Sequence, residues 1–255
     1  QHLRNGSGAM AIQVDRLAQF IIKIGFFYGW IIVTITFFAS MITAGIAGWG
    51  LSFFIIPMGE DLGVSRAGFS SITLFRLVAL PIVPILGVLV DRKHGPRVLL
   101  TIAGVIGGLT LFLSSFVQTL WQFYIVFGVG FGLATMTMGG QLIGPAVISK
   151  WFIRMRGRAM AIGTMGISTG GFIIAPLAGW IVGEYGWRTA WAVLGIVVFL
   201  AITPISALFM RRSPEDLGLL PDGDSSSATD SSDSSKKIWV DTEYPWTLRE
   251  ALRTR

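Results

Sequence analysis

Cysteine is absent from the 255 residues, so no disulfide, thiol nucleophile or cysteine metal site can form. Only two histidines occur, His2 and His94, and they lie far apart in polar segments, which leaves no histidine cluster to hold a metal. No cofactor is expected. Charge is scarce: Asp, Glu, Lys and Arg make up 13% of the chain, about half of what a soluble domain uses to cover its surface. Acid is scarcest of all, because no Asp or Glu falls inside the long apolar runs. Proton transfer through an acid buried in these runs is therefore excluded. Neither a pore-loop segment nor a ring of like charge is visible, which argues against a channel.

What remains is apolar residues, 53% of the total, and an abundance of glycine, 32 residues, which suits close helix packing in lipid. The apolar residues fall in six runs, at about 26–54, 69–90, 98–116, 120–148, 159–182 and 187–210. Each reaches or approaches the roughly 20 residues that a helix needs to cross the hydrocarbon core. Backbone polar groups must bond internally in lipid, so the runs are helices. The first is too long for a cleaved signal peptide. The expectation is an all-α membrane protein: a cytoplasmic tail over 1–25, a six-helix bundle over 26–210, and a disordered Ser- and Asp-rich cytoplasmic loop over 211–245. Residues 246–255, where Thr247 and Glu250 have capping-box spacing, read as the truncated start of a further helix.

Orientation follows from the basic residues. Arg4, Arg16 and Lys23 precede the first run, Arg92, Lys93 and Arg97 follow the second, Lys150, Arg154, Arg156 and Arg158 follow the fourth, and Arg211 and Arg212 follow the sixth. The alternate loops hold only Arg66 and Arg188. Both termini are expected in the cytoplasm, in a multi-pass protein of the cell membrane. The net charge of +6 sits in these short loops and implies no nucleic-acid partner.

An internal repeat is legible. One shift superposes Arg66-Ala67 on Arg158-Ala159, Pro84 on Pro176, Gly87 on Gly179 and Val90 on Val182. After one gap, Gly95-Pro96-Arg97 falls on Gly186-Trp187-Arg188. Each unit holds three helices, so the second is inverted relative to the first, an arrangement common in secondary transporters.

The loop Gly87-Val88-Leu89-Val90-Asp91-Arg92-Lys93-His94-Gly95-Pro96-Arg97 resembles the signature between helices 2 and 3 of the major facilitator superfamily. Here one extra residue precedes Gly95, and Pro96 replaces a usual basic residue. Trp151-Phe152 with Arg156-Gly157-Arg158-Ala159, Gly186 to Trp191, and Arg211 to Gly223 resemble segments of its bacterial monocarboxylate and oxalate–formate type branch. The resemblance implies half of a twelve-helix carrier, whose partner is the missing C-terminal six-helix half. It also implies a gating latch at Gly87, Asp91, Arg92, Gly95 and Arg97. In that latch Gly87 would permit close helix approach, and Asp91 would face the positive end of another helix.

Within the spans, Arg76 is the one deep charge. It either binds a carboxylate in a cavity or snorkels to headgroups. Thr73, one turn before it, and Gln141 are the other candidates for a translocation site, although Gln141 serves equally as interhelical glue. Hydroxyls at Thr135, Thr137, Thr164 and Thr169 are expected to bond their own helix backbone, and Gly163, Gly166, Gly170 and Gly171 to mark tight packing. Tyr28, Trp30, Trp121 and Tyr124 fit an aromatic belt. The resulting expectation is secondary transport of a mono- or dicarboxylate. Two alternatives stay open: a six-helix protomer of a homodimeric carrier, and a non-transporting scaffold or receptor of the same fold.

Overall fold

A computed structural model describes residues 27–138 and 142–223. The N-terminal tail, Gln141 and residues 224–255, with most of the expected linker and the further helix, lie outside the described residues; residues 211–223, expected to be disordered, instead form two 3-10 turns. Among the described residues five helices are long and apolar enough to cross a membrane: Gly29–Gly50, Gly68–Val90, Gly95–Ser114, Leu120–Trp151 and Arg156–Phe209. The last has 54 residues. A straight helix of that length would be about 80 Å long, against a core of about 30 Å. It is two helices, parted at Gly186, whose φ of 80° and ψ of 163° are far from helical and suit only glycine. The six spans are thus α1 (Gly29–Gly50), α2 (Gly68–Val90), α3 (Gly95–Ser114), α4 (Leu120–Trp151), α5 (156–185) and α6 (187–209).

α1 outruns its expected end. It continues as Ser52–Leu62, with Pro57 inside, and stops at Gly63, whose φ of 64° makes a left-handed cap. The extension brings Glu60 and Asp61 onto the helix. There, near its end, Asp61 accepts hydrogen bonds from Trp187 Nε1 at 3.2 Å and from the Arg188 guanidinium. α4 begins with a capping box: Thr119 Oγ1 accepts from the Gln122 backbone N–H, and Gln122 Oε1 accepts from the Thr119 N–H at 3.2 Å.

The helices pair through glycine. A β-carbon on Gly170 of α5 would lie 2.8 Å from the Gly45 nitrogen of α1. One on Gly108 of α3 would lie 2.9 Å from the Gly195 carbonyl oxygen of α6, and one on Gly128 of α4 2.9 Å from the Phe75 β-carbon of α2. No side chain fits at these three contacts, so backbones approach closely enough for dispersion to hold them. The pairing is symmetric under the repeat. Exchanging α1 with α4, α2 with α5 and α3 with α6 turns the α1–α5 contact into the α4–α2 contact and leaves α3–α6 unchanged.

Inside the bundle an aromatic column joins α1, α4 and α6. Trp191 stacks on Phe54 with centroids 4.0 Å apart and packs on Phe127 at 4.9 Å. Tyr28 and Tyr124 join the interior and not a belt. Their hydroxyls donate to the carbonyl oxygens of Phe209 and Gly68, and both rings are buried. Trp121 is exposed, as a belt residue should be.

Two departures from regular helix shape the centre. α1 is π-helical over Gly45–Gly50, and α4 over Tyr124–Phe131. α2 is broken into Ile72–Leu77, a 3-10 turn Leu80–Ile82 and Val83–Val90. Pro81 and Pro84 offer no N–H, and the Ala79 and Ile82 amides bond three residues back at 3.1 Å.

Candidate functional site

Arg76 lies where α1, α2 and α4 meet, beside both π-helical segments. Its Nη1 donates to the Ala47 carbonyl oxygen of α1 at 3.1 Å. Its guanidinium carbon sits 5.1 Å from the centroid of Phe127 on α4. Gly132, about one turn beyond Phe127, packs beside the stem: a β-carbon there would lie 3.4 Å from Arg76 Cγ, in ordinary contact. The Phe127 ring is fixed in turn by Trp191 and by Phe123 and Phe131 at 5.1 Å. π-Helical turns displace a carbonyl from the regular ladder, and Ala47 offers one here. The arginine is therefore held from two sides, by a carbonyl and by a ring face.

This grip leaves one edge of the guanidinium over. Nε and Nη2 are buried and have no hydrogen-bond partner among the described residues. The two N–H groups on that edge point the same way, the arrangement that receives both oxygens of a carboxylate. A buried charged group with two unanswered donors costs several kcal/mol, by about 1–3 kcal/mol or more per group.

The other expected members of the site fare differently. Thr73 shares the helical piece Ile72–Leu77 with Arg76 but is exposed. The 3-10 turn Leu80–Ile82 separates Arg76 from the Gly87 end of α2. Gln141 lies outside the described residues. The hydroxyls of Thr135, Thr137, Thr164 and Thr169 return to carbonyls three or four residues back, at 2.8–3.0 Å, and are occupied by their own helices. Among the described residues no cluster of His, Asp and Glu converges to hold a metal.

The loop between α2 and α3 forms a second centre, at one end of the bundle. Asp91 Oδ1 accepts from Lys150 Nζ of α4 at 2.7 Å. Its partner among the described residues is thus a lysine of this bundle. Gly95 is fixed by space, since a β-carbon would collide with the Leu89 carbonyl and lie 3.0 Å from the Val90 oxygen. At Gly87, nothing among the described residues stands within 4 Å of a β-carbon built on it. Arg92 is exposed, and Arg97 is half-buried in the first turn of α3.

Another carboxylate, Asp222, gathers backbone amides of the turn ahead of α5. It accepts from the backbone N–H groups of Ile153 at 3.0 Å, Arg154 at 2.7 Å and Met155 at 3.3 Å, just ahead of α5. Its side chain is only 3% exposed. The segment after α6 accordingly opens with two 3-10 turns, Pro214–Leu217 and Pro221–Gly223, that fold back on the bundle. The turn signal Pro221-Asp222-Gly223 was present in the sequence, although nothing there tied it to residues 153–155.

The sequence model described as Major Facilitator Superfamily matches residues 18–254. Monocarboxylate transporter 14 of Mus musculus is 27% identical over 202 residues, which is 77% of this chain and 38% of the mouse protein. Monocarboxylate transporter 13 of Bos taurus is 28% identical over 165 residues, 64% of this chain and 38% of the relative. Riboflavin transporter RibJ of Trypanosoma brucei brucei is 31% identical over 170 residues, 64% of this chain and 30% of that protein. The chain spans less than two-fifths of the length of these relatives.

Proposed function

The chain belongs to the Major Facilitator Superfamily, and from that premise we propose that it is the N-terminal half of a secondary transporter for small carboxylates. The partner half would supply six further helices, and the two bundles would rock about a midplane site to give alternating access. The observation that carries the anion assignment is the buried Nε and Nη2 edge of Arg76, whose donors find no partner among the described residues. A carboxylate there answers two buried donors at once, whereas a neutral substrate leaves the charge uncompensated. Thr73, on the same helical piece, and Gln141 are assigned to the same pathway. The latch residues Gly87, Asp91, Arg92, Gly95 and Arg97 gate the opposite end of α2. Their open side, at Gly87, is where the second bundle would rest.

Both termini are placed in the cytoplasm of a cell-membrane carrier. The Asp91 end of the bundle carries the Arg- and Lys-rich loops, and the other end carries only Arg66 and Arg188. Coupling by a buried acid of this half is not part of the reading. The charge of the substrate, the second half or an exchanged anion would serve.

The test is uptake into proteoliposomes by the full-length carrier, with labelled lactate, oxalate and riboflavin. Saturable carboxylate uptake is expected, with Arg76→Lys weakening affinity and Arg76→Gln abolishing uptake at unchanged protein levels. Unaltered carboxylate transport by Arg76→Gln would remove arginine from the site. Uptake of riboflavin alone would remove the carboxylate.

A further inference from the structure

At the Asp91 end, a pocket of about 220 Å³ opens between the start of α3 and the end of α6. Lys93, His94, Arg97, Arg211, Arg212 and Asp216 line it, with Met210 at its base. Four permanent cations thus face one carboxylate. Arg212 keeps its Nε buried and without a partner among the described residues. α3 points its N-terminus here, and no side chain caps it, so the positive end of the helix adds to the field. The negative end of α6 is quenched: Tyr28 donates to the Phe209 carbonyl oxygen at 2.7 Å, and Arg211 Nη1 bonds the carbonyls of Leu208 and Met210. The site is therefore built for an anion, and Asp216 is its one opposing charge.

The place of the pocket names the carrier of that anion. It lies where α3 enters and α6 leaves the apolar zone. Within about two turns of it both helices carry exposed aliphatic side chains, Val98 and Ile102 on one face of α3 and Ile205 on α6. A charged mouth above an apolar double wall matches a molecule with a phosphate head and acyl tails. We propose that this pocket binds the phosphate of an anionic phospholipid, with the acyl chains lying against α3 and α6. The inference needs only the membrane location of the bundle and is independent of the carboxylate reading. Arg76 is not part of the pocket lining.

The experiment is thermal unfolding of the purified chain in maltoside micelles, titrated separately with dioleoylphosphatidylglycerol, dioleoylphosphatidylcholine and glycerol 3-phosphate. Saturable stabilisation by phosphatidylglycerol alone is expected. Lys93→Gln and Arg212→Gln should each weaken its concentration dependence by about fivefold, the effect of one cation at a membrane surface. Asp216→Asn, which removes the opposing charge, should strengthen it, and this gain guards against a loss that reports only misfolding. Equal stabilisation by phosphatidylcholine, or responses unchanged in all three variants, would overturn the site. Full reproduction of the effect by glycerol 3-phosphate would overturn the lipid and leave a soluble phosphate in its place.

Discussion

Asp222 holds the backbone N–H of Arg154 at 2.7 Å across 68 residues of sequence, and so ties the segment after α6 to the turn before α5. The bond is charge-assisted and shielded from water, with two further amides sharing the carboxylate. Replacing Asp222 by Ala should cost about 1.5–3 kcal/mol, the usual worth of a hydrogen bond to a charged group. Asp222→Asn should cost less, because the amide oxygen still accepts and Asn tolerates the left-handed backbone found here, with φ at 59°. Thermal unfolding in detergent reads both. Equal stability of Asp222→Ala and the parent would mean that the contact contributes nothing.

Glycines of the bundle divide into two groups by space. Gly170→Ala forces α1 and α5 apart, at a cost of about 1–3 kcal/mol typical of overpacking. Gly183→Ala, where a β-carbon meets nothing within 4 Å, should be neutral or stabilise by about 0.5–1 kcal/mol as helix propensity improves. The pair is read by the same melt, and a reversed order would refute the packing assigned to the α1–α5 contact.

Asp91 and Lys150 form an ion pair whose side chains are 71% and 30% exposed. Such a pair contributes about 0–1 kcal/mol and is screened by salt. Asp91→Asn should therefore leave the melting temperature of this chain almost unchanged while slowing transport in the full carrier. Gly87→Leu should behave alike, since its gap is empty here and would be filled only by a second bundle. A large loss of stability in either variant would assign them a structural role.

A chain without cysteine lends itself to topology mapping. Cysteine at exposed Gln118 should react with an impermeant maleimide applied to intact cells, and cysteine at exposed Lys93 only after permeabilisation. The opposite pattern would invert the bundle.

The six spans were legible because each is a run of about 20 apolar residues, and the α5 glycines were legible because four of them crowd one segment. Gly186 was readable as the start of α6, since it aligns with Gly95 in the repeat. The site was legible only in its charge. Arg76 announced itself by being the deep cation, but its partner is the Ala47 carbonyl, and a carbonyl has no letter in the sequence. The π-helical turns that present Ala47 and Phe127 lie in stretches, Gly45–Gly50 and Tyr124–Phe131, whose composition suits an ordinary helix equally well. Tyr28 and Tyr124 looked like belt residues because they end apolar runs. Their hydroxyls instead reach carbonyls 181 and 56 residues away, a tertiary choice that no local pattern encodes. Asp222 was hidden for the same reason.

The bend at Gly186 has a mechanical consequence. A connection of one residue has no slack, and Asp61 pins its far side through Trp187 and Arg188. Farther along, α6 meets α3 at close range where Gly195 faces Gly108. α6 is thus fastened to α1 and to α3, and the freedom of α5 to turn against it is concentrated at a residue that has no side chain.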